Sequence, residues 1–148
     1  MNPTVHASAV LVGARAVLIR GPSGSEKSQL ARELIEMRGN AFAFTRLVGD
    51  DRVYLEAANG RLLVRPAEVL GGLLEIRGVG LMRFDHEPSA VVGLVVDLAA
   101  ADAERLPEPA RRRTEIDGIM LPRLAVAAGV AALPAVLGHL TSGSADRE

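Results

Sequence analysis

Gly21-Pro22-Ser23-Gly24-Ser25-Glu26-Lys27-Ser28 is the stretch with the clearest chemical content. Glycines at 21 and 24, a lysine at 27 and a serine at 28 have the spacing of a phosphate-binding loop. In such a loop, successive backbone N–H groups converge on an anion, and the helix that follows adds its positive end. The lysine ammonium bridges outer phosphates, and the serine hydroxyl ligates magnesium. The pattern asks for glycine at position 26, where this chain has Glu26. Glycine would let the backbone approach phosphates closely, in conformations that other residues avoid. Glutamate adds bulk and a negative charge, and like charges about 4 Å apart repel by about 1 kcal/mol in water. The same carboxylate offers a different expectation: it accepts the loop's N–H bonds and mimics phosphate. Lys27 is the only lysine among seventeen basic residues. In so arginine-rich a chain, that points to a compact ammonium where guanidinium substitutes poorly.

Two further clusters belong with this loop. Asp50-Asp51 follows a short apolar run. Phosphoryl transfer needs a carboxylate to take the proton from an attacking hydroxyl or to organise a metal, and a neighbouring pair supplies both. Standing alone, the pair reads as a solvated turn. Glu75-Ile76-Arg77-Gly78-Val79-Gly80 is the second cluster. Strand alternation puts Glu75 and Arg77 on one face, a carboxylate for magnesium beside a guanidinium for phosphate. A surface ion pair before a glycine turn is the plain alternative.

The flanking segments must position these groups. Val5 to Val12 and Ala16 to Ile19 read as a hairpin with Gly13-Ala14-Arg15 at its turn. The second strand enters the glycine loop directly. Leu30, Ala31, Leu34 and Ile35 then recur at helical spacing, with Gly39 placed to end the helix. Asn59-Gly60 joins Val53–Leu55 to Leu62–Val64 as a second hairpin. Short strands are expected at Leu73–Ile76, Leu81–Phe84 and Val91–Asp97. A short helix is expected at Leu98–Leu106, an exposed turn through Pro107, Pro109 and Arg111-Arg112-Arg113, a last strand at Ile119–Leu121 and a last helix at Ala125–Leu137. Few helices among many strands predict an α/β domain whose mixed sheet wraps one loop-bearing helix. One domain over residues 1–140 is expected, with 141–148 a polar tail.

Composition removes several classes. With 148 residues, 49% hydrophobic, the chain can bury a core. A formal charge of −1 gives no basic footprint for nucleic acid, and three arginines in a proline-rich turn read as a solvated loop or a dock for an acidic partner. There is no cysteine for disulfide or thiolate chemistry. The N-terminus has no signal-peptide pattern. The long apolar stretch from Leu121 to Leu140 is broken by Pro122, Arg123, Gly129, Pro134 and His139, so it reads as a buried helix and not a membrane span. The expected location is the cytoplasm.

Taken in order, these elements resemble the HPr kinase/phosphorylase family. His6 matches a histidine at the start of the strand before the loop. Gly21 to Ser28 matches the family loop except at Glu26. Gly49-Asp50-Asp51-Arg52-Val53 matches an Ala-Asp-Asp element, and Glu75 to Gly80 matches the signature Glu-aliphatic-Arg-Gly-aliphatic-Gly in full. Glu104-Arg105-Leu106 matches a later element. The resemblance covers most of Val5 to Leu137. It implies a P-loop domain of the HPr kinase/PEP carboxykinase-like kind that uses ATP and Mg2+ to phosphorylate a serine of an HPr-like phosphocarrier, and that can reverse this by phosphorolysis. It implies that Gly21, Pro22, Ser23, Gly24, Ser25, Glu26, Lys27 and Ser28 bind the nucleotide, and that Ser28 and Glu75 bind the metal. Asp50 and Asp51 supply the acid/base, with Asp51 favoured, and His6, Arg77 and Arg105 assist. Met120-Leu121-Pro122-Arg123-Leu124 lacks the Gly-Arg-Asn that longer members link to dephosphorylation. The chain looks like the short form, and family members are commonly hexameric. A catalytically impaired regulator on this fold and a small-molecule kinase are the competing readings.

Overall fold

The computed structural model describes residues 3–67 and 72–141. β1 (Val5–Val12) and β2 (Arg15–Arg20) form the first hairpin, followed by α1 (Lys27–Glu36). β3 (Thr45–Gly49), β4 (Arg52–Ala58), β5 (Arg61–Pro66), β6 (Leu73–Ile76), β7 (Gly80–Arg83) and β8 (Ala90–Asp97) come next. A 3-10 turn at Pro109–Arg112, β9 (Arg113–Ile116), β10 (Ile119–Ala125) and α2 (Leu133–Thr141) complete the chain.

The sheet is mixed. β2 and β8 run parallel, as do β8 and β10, while the other pairs are antiparallel. β1 and β8 each change partners along their length. β1 pairs with β4 at Val5 and His6 and with β3 from Ala9 onward. β8 pairs with β5 at Ala90 and Val91 and with β10 from Val95. β6 and β7 form a separate two-stranded ribbon.

Two apolar clusters explain the unbroken hydrophobic runs. Ala16 and Leu18 of β2 face a cluster that includes Leu55, Leu62 and Val64. Val17 and Ile19 face the opposite way, toward Leu30, Ala31 and Leu34 of α1. A strand covered on both faces has no need of polar alternation. The β2–β8 register shifts between Ala16 and Val17, where Gly93 is the extra residue. A Cβ on Gly93 would lie 2.6 Å from Arg15 Cβ, so the bulge needs glycine.

Three expectations in the C-terminal third are corrected. Leu98–Leu106 is not a helix. Leu98 N–H donates to Arg20 O at 2.8 Å, Ala100 N–H to Val126 O at 2.9 Å, and Ala99 has φ of 52°, so sheet-edge pairing overrides helix propensity. The expected exposed turn is present as a 3-10 turn over Pro109–Arg112 with no buried residue, and only Arg113 departs from it, opening β9 opposite Pro122 of β10. The last strand runs on through Ala125, and the last helix begins only at Leu133. Pro134 fits its first turn, where the missing N–H costs no bond. Gly39 lies in the left-handed region, φ 83°, three residues past the end of α1. The expected tail lies outside the described residues except Thr141, which closes α2.

Candidate functional site

The glycine loop sits at the carboxyl end of β2 and the head of α1, the strand–loop–helix arrangement that a phosphate-binding loop requires. Gly24 and Glu26 have φ of 82° and 70°. Glu26 thus holds the left-handed conformation that the motif assigns to glycine, and its carbonyl accepts the first helical bond, from Leu30 N–H at 3.2 Å. Its side chain makes no capping bond and is exposed. The expectation that this carboxylate gathers the loop's N–H groups is therefore corrected. The exposed side chain lines the adjoining cleft. Lys27 is 7% exposed, and its Nζ donates to Gly21 O at 2.9 Å and Pro22 O at 3.3 Å. The ammonium is held by the loop's own carbonyls.

Asp50 ties three segments together. Its Oδ1 accepts from Ser8 Oγ of β1 and from Ser28 Oγ of α1, each at 2.7 Å, and Oδ2 accepts from the Glu75 N–H at 3.5 Å. Ser8 Oγ in turn accepts from Asp51 N–H at 3.1 Å. Ser28 spends its proton on Asp50 and keeps its oxygen lone pairs for a ligand. Asp51 has φ of 69°, which turns its carboxylate outward, 66% exposed and 3.9 Å from His6 Nδ1. The two neighbouring acids are thus divided between a bonded anchor and an exposed carboxylate beside His6.

Loop residues, one face of α1, Asp51 and the Glu75–Gly80 turn line one cleft of about 920 Å³. Glu75 lies on this cleft's lining. Arg77 also lies on that wall, but β6 stops at Ile76, so the shared strand face is corrected: Arg77 belongs to the turn closed by Val79 N–H to Ile76 O at 2.9 Å. Five acids (Glu26, Glu33, Glu36, Asp51, Glu75) face three bases (Lys27, Arg32, Arg77), a lining charge of −2. Arg32 Nε is engaged with Glu36 at 2.9 Å. A polyphosphate entering this cleft meets net negative charge and needs a cation with it. Among the described residues, no cluster of three or more acidic, histidine or cysteine side chains forms a metal cage. Ser28 and Glu75, a hydroxyl and a carboxylate, are oxygen donors on the cleft lining of the kind a hard cation takes. His6 reaches the cleft through Asp51, whereas Arg105 is exposed on the segment after β8 and does not line it. Ser8 was missed by motif reading. Its signal in the sequence is a lone hydroxyl within the apolar run Ala7–Val12, and the structure buries it fully.

Fold and site together define an α/β domain with a mixed sheet and a glycine-rich loop heading its main buried helix. The family model described as HPr Serine kinase C-terminal domain matches residues 1–127, and the chain belongs to that family. An HPr kinase/phosphorylase of Streptococcus thermophilus is 48% identical over 80 residues, covering 53% of this chain and 24% of the relative. One from Limosilactobacillus reuteri is 33% identical over 135 residues, covering 83% of this chain and 40% of the relative. The chain thus spans less than half the length of these relatives. The solved structure of the Hpr(Ser) kinase/phosphatase from Coxiella burnetii matches the fold with a TM-score of 0.72 at 24% identity, over 94% of this chain and 88% of that one.

Proposed function

We propose that this domain, residues 1–140, is an ATP- and magnesium-dependent serine kinase acting on an HPr-like phosphocarrier. The observation that supports it best is the convergence of Lys27, Ser28, Asp51 and the Glu75–Gly80 turn on one cleft, in a chain of this family. In the forward reaction a serine oxygen of the acceptor bonds to the terminal phosphorus of ATP, the bridging P–O bond breaks, and ADP leaves. Asp51 takes the serine proton, being the exposed carboxylate of the pair, and His6 steadies it. Lys27 leaves the carbonyls of Gly21 and Pro22 for the phosphates, which the N–H groups of the Gly21–Ser25 loop cradle. Ser28 and Glu75 hold magnesium, which neutralises phosphate charge when bound. Arg77 faces the transferred group, and Arg105 assists. In phosphorolysis an oxygen of inorganic phosphate would bond to the phosphorus of phosphoserine, the serine O–P bond would break with Asp51 as acid returning a proton to the serine oxygen, and pyrophosphate would leave. The reading places the domain in the cytoplasm as a homo-oligomer, a hexamer by family resemblance, with neither nucleic acid nor membrane as partner. Among the described residues, no helix is long and apolar enough to cross a membrane.

The test is incubation of the native chain and Glu26→Gly with Mg-ATP and an HPr-type carrier, read by mass spectrometry for phosphoserine. Transfer is expected from Glu26→Gly, and more weakly from the native chain. Absence of transfer from both sinks the reading. The exposed carboxylate of Glu26 on the cleft wall favours a second reading, a domain that binds the carrier without turnover. ATP hydrolysis by the native chain would refute that one.

A further inference from the structure

The parallel strands β2, β8 and β10 end side by side, and a chain of charged side chains crosses their carboxyl ends. Arg20 is the last residue of β2, immediately before Gly21, and Asp97 is its register partner on β8. Arg20 Nε donates to Asp97 Oδ1 at 2.7 Å and its second nitrogen to Oδ2 at 2.9 Å. Arg123 of β10 donates from Nε to Asp97 Oδ2 at 2.6 Å, then reaches Asp102 with two bonds of 2.9 Å. Arg123 also donates to Arg111 O at 3.0 Å. Arg123 and Asp97 are 13% and 15% exposed.

Such a chain is a poor way to gain stability, because desolvating the charges offsets much of their attraction, and apolar replacements of similar volume often do as well. What it does supply is position. Bidentate guanidinium–carboxylate pairs fix both partners in plane and angle. The backbone here is packed to match: a Cβ on Gly21 would lie 3.1 Å from Leu98 Cβ and 3.2 Å from Leu98 O. The first residue of the glycine loop is therefore in close contact with the first residue after Asp97.

We propose that Asp97 is a positioning residue, which through Arg20 and Arg123 locks the start of the glycine loop to the 98–112 segment that carries Arg105. Its consequence for nucleotide affinity rests on the phosphate-binding reading above; the lock itself does not.

The test uses two variants. Asp97→Asn leaves two arginines facing each other with no carboxylate between them. The triple change Arg20→Met, Asp97→Leu, Arg123→Met replaces the half-buried chain by apolar groups and keeps the fold testable if the single change fails to fold. Amide hydrogen exchange is followed across residues 21–26, residues 98–103 and, as a control, β4. The proposal expects both segments to exchange together, about tenfold faster, in the triple variant, with β4 and the melting temperature unchanged. Unaltered exchange at 21–26 overturns the lock whether or not nucleotide binds. In the Glu26→Gly background, loss of the chain should then raise KM for Mg-ATP more than it lowers kcat, and Asp97→Glu should recover part of the affinity where Asp97→Asn does not. Faster loop exchange with unchanged KM overturns the positioning role. Failure of Glu26→Gly itself to bind Mg-ATP sinks the phosphate-binding reading, and the exchange result still decides the lock.

Discussion

At the scale of single residues, Glu26 is the most informative position. An L-residue with φ 70° and ψ 38° sits where glycine is free and other residues are strained by about 1–2 kcal/mol. Charge and conformation can be separated by substitution. Glu26→Gly is expected to raise unfolding free energy by about 1 kcal/mol in denaturant titration, while Glu26→Ala, which also removes the charge, gains little. Equal gains from both would assign the penalty to charge and not to the backbone. The two aspartates separate in the same way. Asp50 accepts bonds from Ser8, Ser28 and the Glu75 N–H, so Asp50→Ala should cost about 2 kcal/mol of stability. Asp51 points outward, so Asp51→Asn should leave stability within about 0.5 kcal/mol. If Asp51 takes the acceptor's proton, kcat should fall by about 10²–10⁴. Loss of stability at Asp51 with activity intact would reverse the assignment.

At the scale of elements, the strands of the first two-thirds were legible because their apolar runs are bounded by turn residues, Gly13 and Asn59-Gly60 above all. The last third was not, because its geometry depends on partners distant in sequence. The alanine-rich segment after Asp97 reads as a helix until Arg20 and Val126 claim its backbone N–H groups. Gly93 likewise looks like a weak point in a strand and is in fact the bulge that the β2 register demands. Gly93→Ala should cost about 1–3 kcal/mol, measurable by thermal unfolding, because Arg15 would have to move. The charged edge makes a second prediction. Burial alone would raise the Asp97 carboxyl, but the hydrogen bonds and charges of Arg20 and Arg123 outweigh it and hold it below the ordinary 3.8. The Arg123 hydrogen bonds likewise lower Asp102. A depressed carboxylate contributes stability above its unfolded pKa and loses it as pH falls through the folded value. Stability should therefore hold at neutral pH and decline below about pH 4. The Asp97→Asn variant should show a shallower acid slope, and an unchanged slope would remove Asp97 from the acid transition.

For the whole molecule, the Gly21–Ser28, Asp50-Asp51 and Glu75–Gly80 stretches stand out in the sequence because glycines or adjacent charges mark them. Their supports, Ser8 and the Arg20–Asp97–Arg123 chain, do not, since each looks like an ordinary strand residue until the sheet is assembled. The same assembly lets a ligand at the loop act on the entire fold. Gly21 follows β2, whose Val17 and Ile19 share one apolar cluster with Leu30 and Leu34 of α1. Anything that binds only the folded loop must therefore shift global unfolding by mass action. At ligand a hundred times its Kd, the shift is about 2.7 kcal/mol. For a domain of this size, that corresponds to roughly 5–10 °C in Tm. In Glu26→Gly, the lining charge goes from −2 to −1 by loss of one of the five acids. Mg-ATP should then raise Tm by several degrees, ATP with a chelator by much less, and the native chain should respond less than the variant. Combining Asp51→Asn with Glu26→Gly should leave the shift intact, because Asp51 is assigned to proton transfer and not to phosphate. Loss of the shift in that double variant would move Asp51 into nucleotide or metal binding. An equal shift with and without magnesium would show that Lys27 and the loop N–H groups suffice against the acidic wall.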